Sequence, residues 1–259
     1  MNEWAINSYF CPLFHSFPIY LIDMKKLSPV VFILMLSCIT GATFSQSKLP
    51  IKLGLQVAPN IGWMNPSTKG YSSDGARFGG TIGFVGDFYF AENYAVSTGM
   101  NFQFMNGKLT YADLASLAAF GQDTVVNVNV TRKYNFLYIE IPLMIKMKTK
   151  TFGKISYFGQ IGFGTGFRMK STFNEHIEPI AGGTPVDQQY DSKQNTTLIR
   201  ESLLFGIGCE YHIDESSRIL IGISYSNSLN NVLKDNNLLT GLPIKSMLNY
   251  AELNIGFLF

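Results

Sequence analysis

Charge is scarce in this chain. Asp, Glu, Lys and Arg together make up 15% of its 259 residues, where soluble domains carry about 25%. A formal net charge of +2 leaves none of the basic surplus that nucleic acid selects, so no nucleic-acid partner is expected. Cysteine is nearly absent: of three, Cys11 and Cys38 fall in an N-terminal segment read as removed, leaving Cys209 alone. That excludes an internal disulfide framework and a cysteine-based zinc site. His15, His176 and His212 lie far apart without metal-ligand spacing, so neither a metal nor a cofactor is expected. Beyond residue 45 no run of 18 apolar residues occurs, which excludes membrane-spanning helices there.

The N-terminal segment has its own logic. Met24-Lys25-Lys26 precedes the apolar run Leu27–Leu36, and smaller residues lead to Ser45-Gln46. A basic start, a short apolar core and a small-residue cleavage region make a secretory signal peptide over 24–45. Residues 1–23 then read as an over-extended start, and the mature domain as 46–259. Two alternatives stand beside cleavage after Ser45: lipidation at Cys38, within Met35-Leu36-Ser37-Cys38, and a short anchor through Leu27–Phe44 that Pro29 and Gly41 interrupt.

Aromatics (14%) and 24 glycines are what the chain has in plenty, and they come in alternation. In Lys154–Lys170 every second residue from Ile155 reads Ile, Tyr, Gly, Ile, Phe, Thr, Phe, Met, with Ser, Phe, Gln, Gly, Gly, Gly, Arg and Lys between them. A period of two is that of a β-strand. A helix would carry Gly162, Gly164 and Gly166 at spacing two, each costing about 1 kcal/mol relative to Ala. The same pattern recurs in 51–63, 78–90, 94–104, 135–147, 198–212, 218–227 and 247–259, which makes eight strands. Three connections are short (91–93, 148–153 and 213–217). Four are long (64–77, 105–134, 171–197 and 228–246) and rich in Asn, Asp, Ser, Thr, Gly and Lys. Within the second, Tyr111–Phe120 has helical spacing. An even number of strands with short turns on one side and long loops on the other predicts an all-β, eight-stranded antiparallel up-and-down transmembrane barrel, both mature termini on the periplasmic side.

The glycines decide which face looks outward. A soluble barrel would show Lys154, Ser156, Gln160, Arg168 and Lys170 to water and place its glycines there to no purpose. In a membrane barrel the glycines face a lumen that eight strands leave little wider than its own side chains. Lys52, Asp87, Glu140, Lys146, Arg168 and Glu210 then neutralise one another inside, as buried charges must. Aromatic rings fall into two belts, the pattern of the two membrane interfaces. Phe88, Phe90, Tyr94, Tyr157, Tyr211 and Phe257 lie at the periplasmic ends, and Trp63, Phe78, Phe104, Phe136, Phe167 and Tyr225 at the loop ends. Glu201 falls on the lipid parity and is expected at headgroup level, where its cost is small.

Lys52-Leu-Gly-Leu-Gln56, Tyr138-Ile-Glu-Ile-Pro-Leu143, Phe163-Gly-Thr-Gly166 and the terminal Phe259 resemble the PorT-like outer-membrane β-barrel proteins of Bacteroidota over about 51–259. The resemblance implies this fold, the outer membrane of a Gram-negative cell and delivery through the barrel-assembly machinery by the C-terminal strand. Its named member serves protein secretion, and it implies no catalytic residues. Chemistry-bearing candidates are few. His176 sits beside Glu175 and Glu178 in a long loop, His212 at the periplasmic end of its strand, and Glu140 within reach of Lys146 or Arg168. Solvated-loop, hydrogen-bonding and lumen ion-pair roles account for them, and no catalytic, cofactor or metal residue is assigned. The expected role is a non-enzymatic, lipid-embedded barrel whose outer loops bind or protect. The alternatives are an accessory component of a secretion complex with a protein partner, and a barrel hydrolase acting on lipid A or peptide.

Overall fold

Every backbone N–H and C=O inside a bilayer must find a partner within the protein, and a sheet meets that demand only by closing on itself. The computed structural model describes residues 51–116, 125–180 and 184–259; the expected leader lies outside them. Ten strands follow in order: β1 (Ile51–Pro66), β2 (Tyr71–Ser73), β3 (Arg77–Ala91), β4 (Tyr94–Ser116), β5 (Val125–Lys148), β6 (Ile155–Pro179), β7 (Val186–Asp191), β8 (Ile199–His212), β9 (Arg218–Ser228) and β10 (Ser246–Leu258). Eight form a ring, β1-β3-β4-β5-β6-β8-β9-β10 and back to β1, antiparallel throughout. The seam between first and last strands is knitted by Leu53 N–H to Phe259 O at 3.1 Å and Phe259 N–H to Leu53 O at 2.7 Å. The eight-stranded barrel read from the alternation is thus the observed fold. The two additional strands are short, β2 pairing with β4 and β7 with β6.

Alternation is what orients the walls. Leu55, Phe84, Leu143, Ile207 and Ile223 stand exposed on the outside, Ile207 at 69%, while their neighbours along each strand are buried or half-buried. A water-soluble sheet does not leave such a band uncovered. Two aromatic belts bound the band as expected, Trp63 stacking on Tyr225 with ring centroids 6.0 Å apart at the loop end. Phe136 is the exception. It points inward and is only 3% exposed, packed in a cluster inside the barrel.

Two long connections are strand rather than loop. β4 and β5 remain paired from Tyr94↔Met147 to Ser116↔Val125, well beyond the apolar band. The helical spacing of Tyr111–Phe120 therefore does not prevail: Tyr111–Ser116 is strand, and the rest of that segment lies outside the described residues. Its partner Val125-Val-Asn-Val-Asn-Val130 is β-branched at alternate positions, and strand pairing outweighs the weak helical preference of the Ala-rich side. β6 likewise runs to Pro179, flanked by β5 and β7.

A β-bulge sets the outer end of β6. Leu137 is opposite Lys170 but Tyr138 is opposite Arg168, so Met169 has no partner. One extra residue reverses which side chains face in. Met169 and Lys170 are both exposed, and beyond them Ser171, Phe173 and Glu175 turn inward. Lys170 is therefore on the outside, not at the lumen rim where unbroken parity placed it. Lys154, at the other end of the stretch, is exposed in the short turn before β6.

The two faces of β6 predict two kinds of failure. Arg in place of Ile161 or Phe163 puts a charge against lipid and costs about 2–4 kcal/mol, read as a lower urea midpoint of barrel refolded in vesicles. Gly164→Val fails by crowding. Its Cβ would lie 2.9 Å from Glu140 Cδ and 2.9 Å from Ser202 Oγ, so the compact band on unboiled gels is expected to vanish.

Candidate functional site

The inward side chains stack in layers. At the end that carries the short turns, Lys146 Nζ lies 2.6 Å from Asp87 Oδ2 and 2.6 Å from Glu210 Oε1. Glu210 Oε2 is also held by Lys148 at 3.3 Å and Arg218 at 3.0 Å. Lys52 instead donates to the backbone carbonyl of Ser216 at 2.8 Å. Two carboxylates thus face three paired cations, and the fourth cation, Lys52, has Asp214 nearby. Beside it Ser156 Oγ and His212 Nε2 are 3.0 Å apart, a hydroxyl–imidazole couple of the kind nucleophilic catalysis uses. Among the described residues no carboxylate hydrogen-bonds that imidazole, and Ser156 is fully buried.

Midway, Glu140 and Arg200 form the second ionic layer. Arg200 is fully buried, the largest such side chain among the described residues. Its Nη1 donates to Glu140 Oε2 at 3.2 Å, Nη2 to Ser226 Oγ at 2.7 Å and to Leu248 O at 3.0 Å. Its plane also faces the Tyr250 ring, 5.2 Å from the centroid. Glu140 Oε1 accepts from Gln103 at 2.9 Å and Tyr250 at 3.3 Å. Between the ionic layers lies a cavity of about 40 Å³ whose lining includes Gln56, Asn101, Gln160, Glu252 and Asn254. At ~10–15 Å³ per water it holds a few waters at most. Glu252 accepts from Thr81 at 3.0 Å and Ser224 at 2.8 Å, with no cation in reach among the described residues.

Above this the lumen turns apolar. Met64, Met105, Leu109, Phe136, Phe173 and Leu248 meet Val232, Leu233 and Ile244 of the last long connection, all nearly or fully buried. That connection, 229–245, folds back into the mouth. Its Asp235 takes Arg132 Nη1 at 2.8 Å, while Arg132 Nε holds Glu175 at 2.6 Å. The guanidinium also lies 4.7 Å from the Phe173 ring centroid. Asn237 donates to Tyr71 OH at 2.7 Å and to Ala112 O at 3.0 Å, and Leu239 N–H to Asp113 Oδ1 at 3.0 Å. Burial pushes the Tyr71 phenol up to about 12, the Asn237 bond pulling the other way. It therefore stays protonated at physiological pH.

Of the lumen charges read from the sequence, Lys52, Asp87, Glu140, Lys146 and Glu210 are buried inside. Arg168 is inside too, donating to Thr196 O at 2.5 Å. Glu140 pairs with neither Lys146 nor Arg168 but with Arg200, a residue the sequence reading passed over although it shares the parity of Ser202 and Glu210. The grouping of His176 with Glu175 and Glu178 is also revised. After the bulge Glu175 faces in toward Arg132, while His176 Nδ1 meets Asp187 Oδ1 at 2.7 Å on the open side of β6 and β7. Glu201, on the outer face, accepts from Thr165 Oγ1 at 2.9 Å. No cluster of three or more His, Cys, Asp or Glu placed to hold a metal occurs among the described residues.

Comparison with known proteins adds to this geometry. The chain is similar to the crystal structure of Neisserial surface protein A at 10% identity, covering 80% of this chain and 95% of that one, with a TM-score of 0.43. It is similar to Ail, the attachment invasion locus protein of Yersinia pestis, at 13% identity, covering 81% and 99%, with a TM-score of 0.32. It is similar to the outer membrane protease OmpT of Escherichia coli at 10% identity, covering 84% and 98%, with a TM-score of 0.33. No curated protein matches. The model of the outer membrane protein beta-barrel domain matches residues 44–234, most of the chain, and by that match, on a closed ring with an apolar outer band, the chain belongs to the outer membrane beta-barrel domain family.

Proposed function

We propose that this protein is a closed, non-enzymatic outer-membrane barrel that presents its extended β4–β5–β6–β7 wall and the folded-in connection 229–245 as a binding surface outside the cell. The observation that carries the reading is the sealed lumen. Two ionic layers and an apolar layer block it in series, and the connection that closes the mouth is held by Arg132, Asp113 and Tyr71 rather than left free. Such a barrel has nothing to conduct, and its exposed features are the rigid strands above the apolar band. The short turns and both mature termini then face the periplasm. The segment Tyr138–Leu143 supports placement in the PorT-like branch: its Tyr138, Glu140 and Pro142 all point inward. Pro142 has no N–H to give the β4–β5 ladder, and the pairing lapses there while Thr98 Oγ1 donates to Pro142 O at 2.7 Å.

Two measurements follow. In planar bilayers the purified protein is expected to give no ion conductance. A variant with 231–243 replaced by a short Gly-Ser turn should also stay silent, because the Glu140–Arg200 layer still blocks the lumen; steady conductance in the parent would contradict the reading. Biotinylation of Thr240→Cys on intact cells, in a Cys209→Ser background, is expected to label and would fail were that end periplasmic. The ionic layer has its own signature. Arg200→Met or Glu140→Gln alone leaves a buried group unpaired and lowers stability by about 3–5 kcal/mol for a lost charge partner. The double variant is expected to recover much of that loss in denaturant midpoint.

A further inference from the structure

Above the apolar band, the outward face of β4, β5 and β6 carries a ladder of side chains in register. Phe104 lies opposite Leu137, and Leu137 opposite Lys170. The next outward rung is Asn106, Asn135 and Thr172, and the next Lys108, Lys133 and Asn174. Lys133 and Lys170 are exposed, and neither has an acidic partner within ion-pair distance among the described residues. Arg77 joins them, its Nη1 donating to Asn135 Oδ1 at 3.1 Å. Two carboxylates lie at this face: Asp74, paired with Lys108, and Asp191 of β7, opposite Thr172 and accepting from the Lys193 backbone N–H at 2.9 Å. The ammonium of Lys108 beside it holds the Asp74 carboxyl below the usual carboxylate range.

Two features of this face leave cations unanswered. Lys108 and Lys133 are directly opposite one another on neighbouring antiparallel strands, a repulsive pairing in which Asp74 pairs with Lys108 and Lys133 has no ion-pair partner of its own among the described residues. The bulge at Leu137/Tyr138 turns Lys170 out beside Met169, where its stem can run along apolar side chains and carry the amino group up to headgroup level. From the Lys170 level to the Lys133 level is four residues of β5, about 13 Å at ~3.3 Å each. That is too long for one phosphate. It suits a headgroup with phosphates at two heights and sugar hydroxyls between, at the level of Asn135 and Thr172; Asn106 Nδ2 on the same rung already donates to Phe78 O, and Asn135 Oδ1 already accepts from Arg77.

From this register we infer that the outer β4–β6 wall is a binding site for a phosphorylated glycolipid of the outer leaflet. Its acyl chains lie against Phe104, Leu137 and Met169, and its phosphates reach Lys170 below and the Lys108–Lys133 pair with Arg77 above. This rests on the proposed orientation with the long connections outside. The lipid test itself is run in neutral detergent, so its failure and the failure of the cell-surface labelling are separable.

The test uses purified full barrel, native mass spectrometry and three probes: bisphosphorylated lipid A, the same lipid dephosphorylated, and phosphatidylglycerol. The expected result is selective retention of the bisphosphorylated form. Affinity should fall about tenfold to a hundredfold in Lys108→Gln/Lys133→Gln/Lys170→Gln, and be unchanged in the periplasmic-turn variant Lys150→Gln/Lys154→Gln. Should the triple variant lose the compact unboiled band, Lys133→Gln alone, which breaks no ion pair, carries the comparison with a smaller loss. Equal binding of the dephosphorylated lipid or of phosphatidylglycerol, or undiminished binding by the lysine variants, would overturn the assignment.

Discussion

Room inside an eight-stranded ring is the constraint on which the rest of this structure depends. Closure satisfies the backbone in lipid, but it encloses a space hardly wider than the side chains that point into it. Gly164 sits where it does because Glu140 and Ser202 already occupy the volume a Cβ would take. The charges inside are there on the same terms. With room for only a few waters between them, Lys146 lies between Asp87 and Glu210, and Arg200 spends its donors on Glu140, Ser226 and the Leu248 carbonyl. Removing one partner of such a pair is costlier than never having had it.

The outer end follows from the inner one. Since β4, β5 and β6 outrun the apolar band, their inward faces would be left open above the membrane without a cover. The connection 229–245 supplies it, with Val232, Leu233 and Ile244 below and the Arg132–Asp235 pair above. The binding surface proposed above is the outside of that extension.

Much of this was legible in the sequence, because a period of two is a strong signal wherever one face meets lipid and the other a crowded lumen. Leu55, Phe84, Ile145 and Ile207 announce the outer face, and the three short connections announce the order of strands. Arg200 was legible too, by its shared parity with Ser202, but it stands beside Glu201 and the pair reads as a polar strand end. The bulge was not legible. Met169-Lys170 alternates equally well with or without an extra residue, and only the opposing strand shows that Met169 is unpaired. Nor was the cover legible, since the Asn, Asp and Lys of 229–245 have the composition of a solvated loop, and its buried residues have no periodicity to mark them. In Tyr111–Ser116 local helical spacing pointed one way and the paired strand Val125–Val130 the other. Pairing prevailed.

The most direct test of the account is a nitroxide scan along β6 of the barrel in lipid vesicles, from Ser156 to Phe173 with Gly164 omitted, in a Cys209→Ser background. Oxygen collision rates should peak at Tyr157, Ile161, Phe163 and Phe167 and stay low at Ser156, Gln160 and Gly166. The phase should reverse across Met169 and Lys170, so that Thr172 is accessible and Ser171 and Phe173 are not. Odd positions that collide with a water-soluble relaxing agent instead, or an alternation that runs through Lys170 without reversal, would contradict the closed, lipid-facing barrel and its bulge.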